Sequence, residues 1–304
     1  LLDPDPAVPA PGPALRLAHR LGAPTKGDVG PAEQDLLGTL YDGLEARTAE
    51  SIHSHGRFFL RDARTQSYVA SKVDCVRRGL QGVTEERVVD LIDRHNIPAS
   101  FFIPAVSLIL QPDMVDVIRR SGQHEFGVHG WIHELNTELD GETERDLIGR
   151  ATDYLENVTG RRPVGYRAPS WNFSPNTLRI IRGFGFLYDS SLMADDRPYE
   201  LLQNGEATGI VELPVEWILD DAPLLNPRGT SYTAPRDLLQ VYIDEFDKAY
   251  EEGTMFLLTT HPHIIGHRSR ILILEELISH IQSVGNVWFA THEQVARYVL
   301  EQAR

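Results

Sequence analysis

The stretch IPASFFIPAVSLILQPDMVDVIRRSGQHEFGVHGWIHE, residues 97–134, decides the fold. ASFFIP is a short apolar run of the kind that makes a buried strand, and Pro98 marks its start. DMVDVIRRSG carries helical apolar spacing and stops at Gly122, a residue that tolerates the left-handed turn at a helix end. HEFGVHG reads as a second strand, and it runs directly into two histidines, His129 and His133.

The same rhythm extends outward on both sides. SYVASKVDCV (67–76), PVGYRAP (163–169), GFLYDSS (185–191), GIVELPV (209–215) and TMFLLTTHPH (254–263) read as strands. VTEERVVDLIDRH (83–95), TERDLIGRATDYLENVTG (143–160), SPNTLRIIRGFG (174–185), APRDLLQVYIDEFDKAYEEG (234–253), RSRILILEELISHIQSVG (268–285) and THEQVARYVLEQAR (291–304) read as helices. Ser174 is the expected N-cap of its helix, with Pro175 in the first position, where a missing N–H costs nothing. Alternating strands and helices between residues 68 and 300 predict an α/β fold with a parallel sheet or barrel. Segment 191–235 is long for a connection, so it is expected to cover the active face.

Residues 1–66 do not follow this rhythm and are read as an N-terminal extension. Prolines 4, 6, 9, 11 and 13 predict an extended arm, and Leu36, Leu37, Leu40 and Leu44 give an amphipathic face to a helix over 31–50. Residues 67–304 form the predicted barrel domain. The 304 residues carry a formal charge of −15, which disfavours a phosphate backbone as partner and makes nucleic-acid binding a poor expectation. The one cysteine, Cys75, excludes an intrachain disulfide and a multi-cysteine zinc site. No apolar run is long enough for a membrane span, and the N-terminal residues lack the basic-then-apolar order of a secretory signal. The expectation is a cytoplasmic protein without a membrane partner.

HGWIHE (129–134) is the strongest local chemical signal. Neutral imidazoles suit zinc and related divalent metals, and two of them four residues apart after a strand end can meet across a turn. Asp74, at the end of the first strand, is a candidate third ligand, and such a set leaves positions open for water and substrate. THPH supplies His261 as a candidate general acid or base, with His263 its rival. Arg167 in YRAPSW could orient a carboxylate or stabilise negative charge. Trp131, Trp171 and Trp217 are candidate pocket walls.

Taken in order, KVD (72–74), IPASFFIP (97–104), HGWIHE, TGRRPVGYRAPSW (159–171), GFLYDSSLMADD (185–196), ELPVEWILDD (212–221) and LLTTHPHIIGHRSR (257–270) resemble the polysaccharide deacetylase family. The family is also called the NodB-homology or carbohydrate esterase 4 group, and the resemblance is to its allantoinase-like, peptidoglycan-deacetylase-like and cyclic-imidase-like branch. It covers about three quarters of the chain. It implies a distorted (β/α) barrel and a divalent metal, usually zinc, held by Asp74, His129 and His133. It implies His261 as the acid that protonates the leaving group, and Arg167 as the arginine that orients a catalytic carboxylate. The implied reaction is hydrolysis of a non-peptide C–N amide bond in a small amide, cyclic imide or ureide, or in an N-acetyl sugar, by a homo-oligomer. The sequence departs from the branch at one place. Lys72 stands where the pattern has the Asp that acts as base, so a catalytically weakened, metal-binding member is the alternative. If Asp74 binds metal, Lys72 shares its strand face, as a cation beside a cation, and is a candidate catalytic residue: either it is neutral and serves as the base, or it stays charged and swings away while a metal-bound hydroxide serves.

Overall fold

The structure is a computed structural model that describes residues 83–225 and 232–303, all within the unit Gly79–Arg304. The expected domain boundary at 66/67, the proline arm, the helix over 31–50, the strand over 67–76, and with it Lys72, Asp74 and Cys75, lie outside the described residues.

Six strands form one mixed sheet: β1 (Ser100–Ile103), β2 (Glu125–Val128), β3 (Gly165–Tyr166), β4 (Tyr188–Asp189), β5 (Tyr199–Gln203) and β6 (Glu206–Glu212), in the order β1-β2-β3-β4-β6-β5. The pairings β1–β2, β2–β3, β3–β4 and β4–β6 are parallel. Helices α1 (Val83–Arg94), α2 (Ala105–Leu110), α3 (Asp113–Arg119), α4 (Gly141–Thr159) and α5 (Thr177–Phe184) accompany the first four strands. Helices α6 (Asp221–Leu225), α7 (Pro235–Glu252), α8 (Pro262–Ile265), α9 (Arg268–Val284) and α10 (His292–Gln302) follow the sheet. This is an α/β fold with helices flanking a central mixed sheet, consistent with the distorted barrel that the alternating pattern and the resemblance imply. No described helix is long and apolar enough to cross a membrane.

Helix boundaries follow local chemistry. Asp140 caps α4 by accepting the N–H groups of Glu142 and Thr143, and Gly160 closes it at φ 74°. Pro235 opens α7, and Thr291 with Gln294 forms a reciprocal capping box on α10. The i, i+3, i+4 spacing of Val88, Leu91 and Ile92 faces the same core as Leu238, Tyr242 and Phe246 of α7 and Ile273, Leu277 and Ile281 of α9. Gly165 is required by close approach: a Cβ there would lie 1.8 Å from the Tyr188 ring. That ring is fully buried across β3, and its hydroxyl donates to Glu125 Oε1 at 2.7 Å.

Three expectations are corrected. α5 begins at Thr177 rather than at Pro175, because the Ser174 hydroxyl is drawn inward to donate to Glu144 Oε2 at 2.6 Å while it accepts the Asn176 N–H at 3.0 Å. The long 191–235 connection contains the β5–β6 antiparallel hairpin, turned at Asn204 (φ 54°) and Gly205 (φ 82°). Asn-Gly favours such a turn because both residues tolerate positive φ. TMFLLTTHPH forms no strand among the described residues; its tie is a single parallel bridge, Asp220↔Thr259. The Thr259 N–H donates to Leu219 O at 2.8 Å and the Thr259 carbonyl accepts the Asp221 N–H at 3.2 Å, which brings the residues before His261 beside Asp220 and Asp221.

Candidate active site

The chemistry-bearing residues emerge where the parallel strands end. His129 follows β2, Arg167 follows β3, and Ser190 and Ser191 follow β4. Strand ends of parallel α/β sheets collect sites in this way because successive connections leave the sheet on one side.

His129 Nδ1 lies 2.7 Å from the Arg167 carbonyl oxygen. A carbonyl only accepts, so Nδ1 carries the proton and donates, leaving the Nε2 lone pair for a ligand. Burial, followed by the charge of neighbouring His133, holds the imidazole pKa well below its ordinary value. His133 stands in the left-handed region at φ 64°, after Gly130 at φ 72°. Glu134 gathers this strained turn: its carboxylate accepts the Trp131 N–H at 2.9 Å and the Ile132 N–H at 2.8 Å. The two imidazoles meet edge to face with ring centres 4.9 Å apart. A neutral, tautomer-fixed histidine beside a second histidine on a strained turn is a donor pair that fits a borderline divalent metal.

Arg167 is 6% exposed. Its Nε donates to Ser190 O at 2.9 Å and its Nη2 to Ser190 Oγ at 2.7 Å. Nη1 donates to Thr259 Oγ1 at 3.2 Å, Nη2 to His292 Nε2 at 3.1 Å, and the guanidinium lies over the Phe102 ring at 4.3 Å. Burial lowers its pKa to about 10, which leaves it charged at neutral pH. Among the described residues no carboxylate hydrogen-bonds to it. The charges of Asp189, Asp220 and Glu212 act on it from a distance, and Glu212 accepts the N–H groups of Ser191 and Leu192, each at 2.9 Å.

His261 caps the short α8. Its backbone N–H donates to both Asp221 carboxylate oxygens at 3.0 Å, and its ring Nδ1 lies 2.7 Å from Asp221 Oδ1. Burial alone would lower the ring pKa, but the Asp221 hydrogen bond and the charges of Asp221 and Asp220 outweigh it and raise the pKa. Ligand atoms of Asp220, Asp221 and His261 lie within 4.8 Å of one another, a cluster capable of coordinating a divalent metal ion. Asp221 was not singled out in the sequence; the available signal was the pair of acids that ends ELPVEWILDD, 40 residues before His261. His263, the rival, has its ring 5.8 Å from that of His261.

The three tryptophans separate. Trp131 is 6% exposed and packs edge-on against Tyr154, so it belongs to the packed layer beneath the turn and not to an open wall. Trp171 and Trp217 meet at 4.4 Å between ring centres, and Trp217 is 51% exposed. Ser170 and Trp171 both hold positive φ, 54° and 53°, to present that pair.

The polysaccharide deacetylase family profile matches residues 67–188. The chain is 30% identical over 254 residues to a peptidoglycan deacetylase of Helicobacter pylori, covering 73% of this chain and 86% of that one. A crystal structure from Mycobacterium smegmatis assigned to the polysaccharide deacetylases shares 33% identity, with a TM-score of 0.69 over 82% of this chain and 84% of that one. The crystal structure of a PuuE allantoinase shares 28% identity, with a TM-score of 0.63 over 69% and 70% of the two chains.

Proposed function

The chain belongs to the polysaccharide deacetylase family, and we propose that it hydrolyses a non-peptide C–N amide bond with a divalent metal at His129 and His133 and His261 as the proton donor. The observation that carries this reading is the Asp221–His261 contact, 2.7 Å from carboxylate to Nδ1. Asp221 fixes the proton on Nδ1 and stabilises the charged ring, so Nε2 is free to hand a proton to a leaving nitrogen. Family membership and the neutral His129 beside His133 support a metal-dependent hydrolase.

We place the metal on the histidine pair for a physical reason. Asp221 and His261 Nδ1 already satisfy one another, and Asp220 Oδ1 accepts the Ala222 N–H at 2.8 Å, whereas among the described residues His129 Nε2 has no hydrogen-bond partner. By the family resemblance, Asp74 completes the set. A divalent metal held there supplies Lewis-acid polarisation of the scissile carbonyl and lowers the pKa of water. Arg167, fixed by four donated hydrogen bonds, contributes a permanent positive charge toward the same strand ends.

Trp171 and Trp217 offer apolar faces for a flat or sugar ring. The substrate we favour is a small linear or cyclic amide, imide or ureide, with an N-acetyl sugar as the second class. Turnover assays on ureides, cyclic imides and N-acetylglucosamine oligomers test this, and absence of hydrolysis of all three overturns it. A catalytically weakened member is the competing reading, favoured by Lys72 in the KVD stretch and by the lack of a carboxylate on Arg167 among the described residues. We also propose a homo-oligomer; a persistent monomer mass in light scattering at micromolar concentration overturns that.

A further inference from the structure

A concavity lies one short helix beyond His261. It has a volume of about 610 Å³ and is lined, among the described residues, by Arg87, Tyr232, His267, Arg268, Ser269 and Arg270. Every one of these side chains is polar, none is acidic, and three are guanidiniums, in a chain whose formal charge is −15.

Many arginines elsewhere on the described surface are paired with acids, although Arg119, Arg145, Arg179, Arg182 and Arg197 are not; what sets the cavity apart is that three unpaired ones line one hollow. Arg94 pairs with Glu275, Arg236 with Glu276, Arg120 with Asp90 and Asp93, Arg162 with Asp153 and Glu156, and Arg161 and Arg297 with Glu293. Among the described residues Arg87, Arg268 and Arg270 have no carboxylate partner, and the hydrogen bond Arg87 makes goes to the Gly266 carbonyl at 3.4 Å. The pairing of Arg94 and Arg236 uses acids on α9 itself, so the helix supplies carboxylates farther along and none at its start. His267 registers the convergence: burial, then the charges of Arg270, Arg87 and Arg268, lower its pKa, against a backbone hydrogen bond with His263 that raises it. Like charges gathered around one hollow repel unless an anion joins them.

We propose that this hollow binds an oxyanion group, a carboxylate or a phosphate, on a ligand distinct from the scissile amide. Guanidinium forks hold such groups through paired N–H donors, which lysines at the same positions would not reproduce. The Tyr232 and Ser269 hydroxyls supply further donors. The site adjoins the chemistry through the backbone, because the Gly266 N–H donates to Pro262 O at 2.8 Å across α8, whose cap is His261.

Thermal melting and isothermal titration of the full chain with inorganic phosphate and, separately, with citrate test the proposal, with sodium chloride at matched ionic strength as the control. The expected result is saturable binding of one or both anions and a rise in melting temperature that chloride does not produce. An Arg268→Gln/Arg270→Gln variant and an Arg87→Gln variant should each weaken that binding by about tenfold or more, corresponding to about 1.4 kcal/mol. Phosphate alone binding identifies a phosphate-bearing ligand, and citrate alone a carboxylate-bearing one. Arg87, Arg268 and Ser269 are exposed and Arg270 is half-buried, so unliganded melting of the variants should stay close to the parent's. Absence of saturable binding, or equal binding by the parent and both variants, overturns the proposal.

Discussion

Glu212 and Asp189 face each other in register on adjacent parallel strands, both fully buried, and the charge of Asp189 opposes ionisation of Glu212. Burial, then the charge of Asp189, pushes Glu212 up to about 11, while burial raises Asp189 to about 6. Two buried carboxyls in contact cannot both ionise, so the pair carries one net negative charge near neutrality. That charge lies behind the Ser190–Ser191 turn that holds Arg167, with the Tyr199 side chain on the neighbouring strand also pushed up by burial.

A stability slope follows. Glu212 keeps its proton in the folded chain and loses it in the unfolded one at ordinary pH, so the contribution is fully present below the unfolded carboxylate range and declines as pH rises toward the folded value. Urea melts should therefore show stability falling from mildly acidic to alkaline pH. Glu212→Gln, which keeps an acceptor for the Ser191 and Leu192 N–H groups and adds a donor toward Asp189, should flatten that slope. Parent and variant curves that run parallel would show that the pair does not hold the proton.

Removing the proton donor should separate chemistry from metal. His261→Ala is expected to lower turnover by roughly 10²–10⁴-fold, the usual worth of a positioned acid, with metal content unchanged. Asp221→Asn should lose less in the same direction and shift the pH optimum, because it removes the charge that holds the Nδ1 proton. If either change strips the metal, the Asp220–Asp221–His261 cluster is the metal centre and the assignment of roles is reversed.

Lys72 distinguishes an active enzyme from a weakened relative. No role assigned above needs a lysine base, so Lys72→Met should turn over at the parent's rate with metal retained. Loss of activity with metal intact would make the lysine a base. A strong rise in turnover for Lys72→Asp would mark the natural chain as the weakened form.

Much of this arrangement is legible in the chain because the parallel core writes apolar runs and helical spacing directly into the sequence. HGWIHE points to the two histidines whose rings meet, and the histidine after TMFLLTT is the one that meets Asp221. What escaped depends on distant partners. Asp221 becomes meaningful only once Thr259 lies against Leu219 and Asp220. Glu134 folds back on the turn that precedes it, which periodicity does not register. Trp131 and Trp217 look alike in sequence, yet one is packed under a strained turn and the other opens a short helix at the surface. Glu212 reads as an ordinary strand acid until its register partner proves to be another acid.

The metal's position is the most direct test of the whole scheme. Crystals of the protein grown with zinc, measured on both sides of the zinc absorption edge, locate the ion without any assumption about its ligands. The expected result is a single anomalous peak within coordination distance of His129 Nε2 and the His133 ring, with His261 free to hydrogen-bond Asp221. A peak centred on Asp220, Asp221 and His261 with none at the histidine pair, or no peak at either place in a protein that turns over substrate, would contradict it.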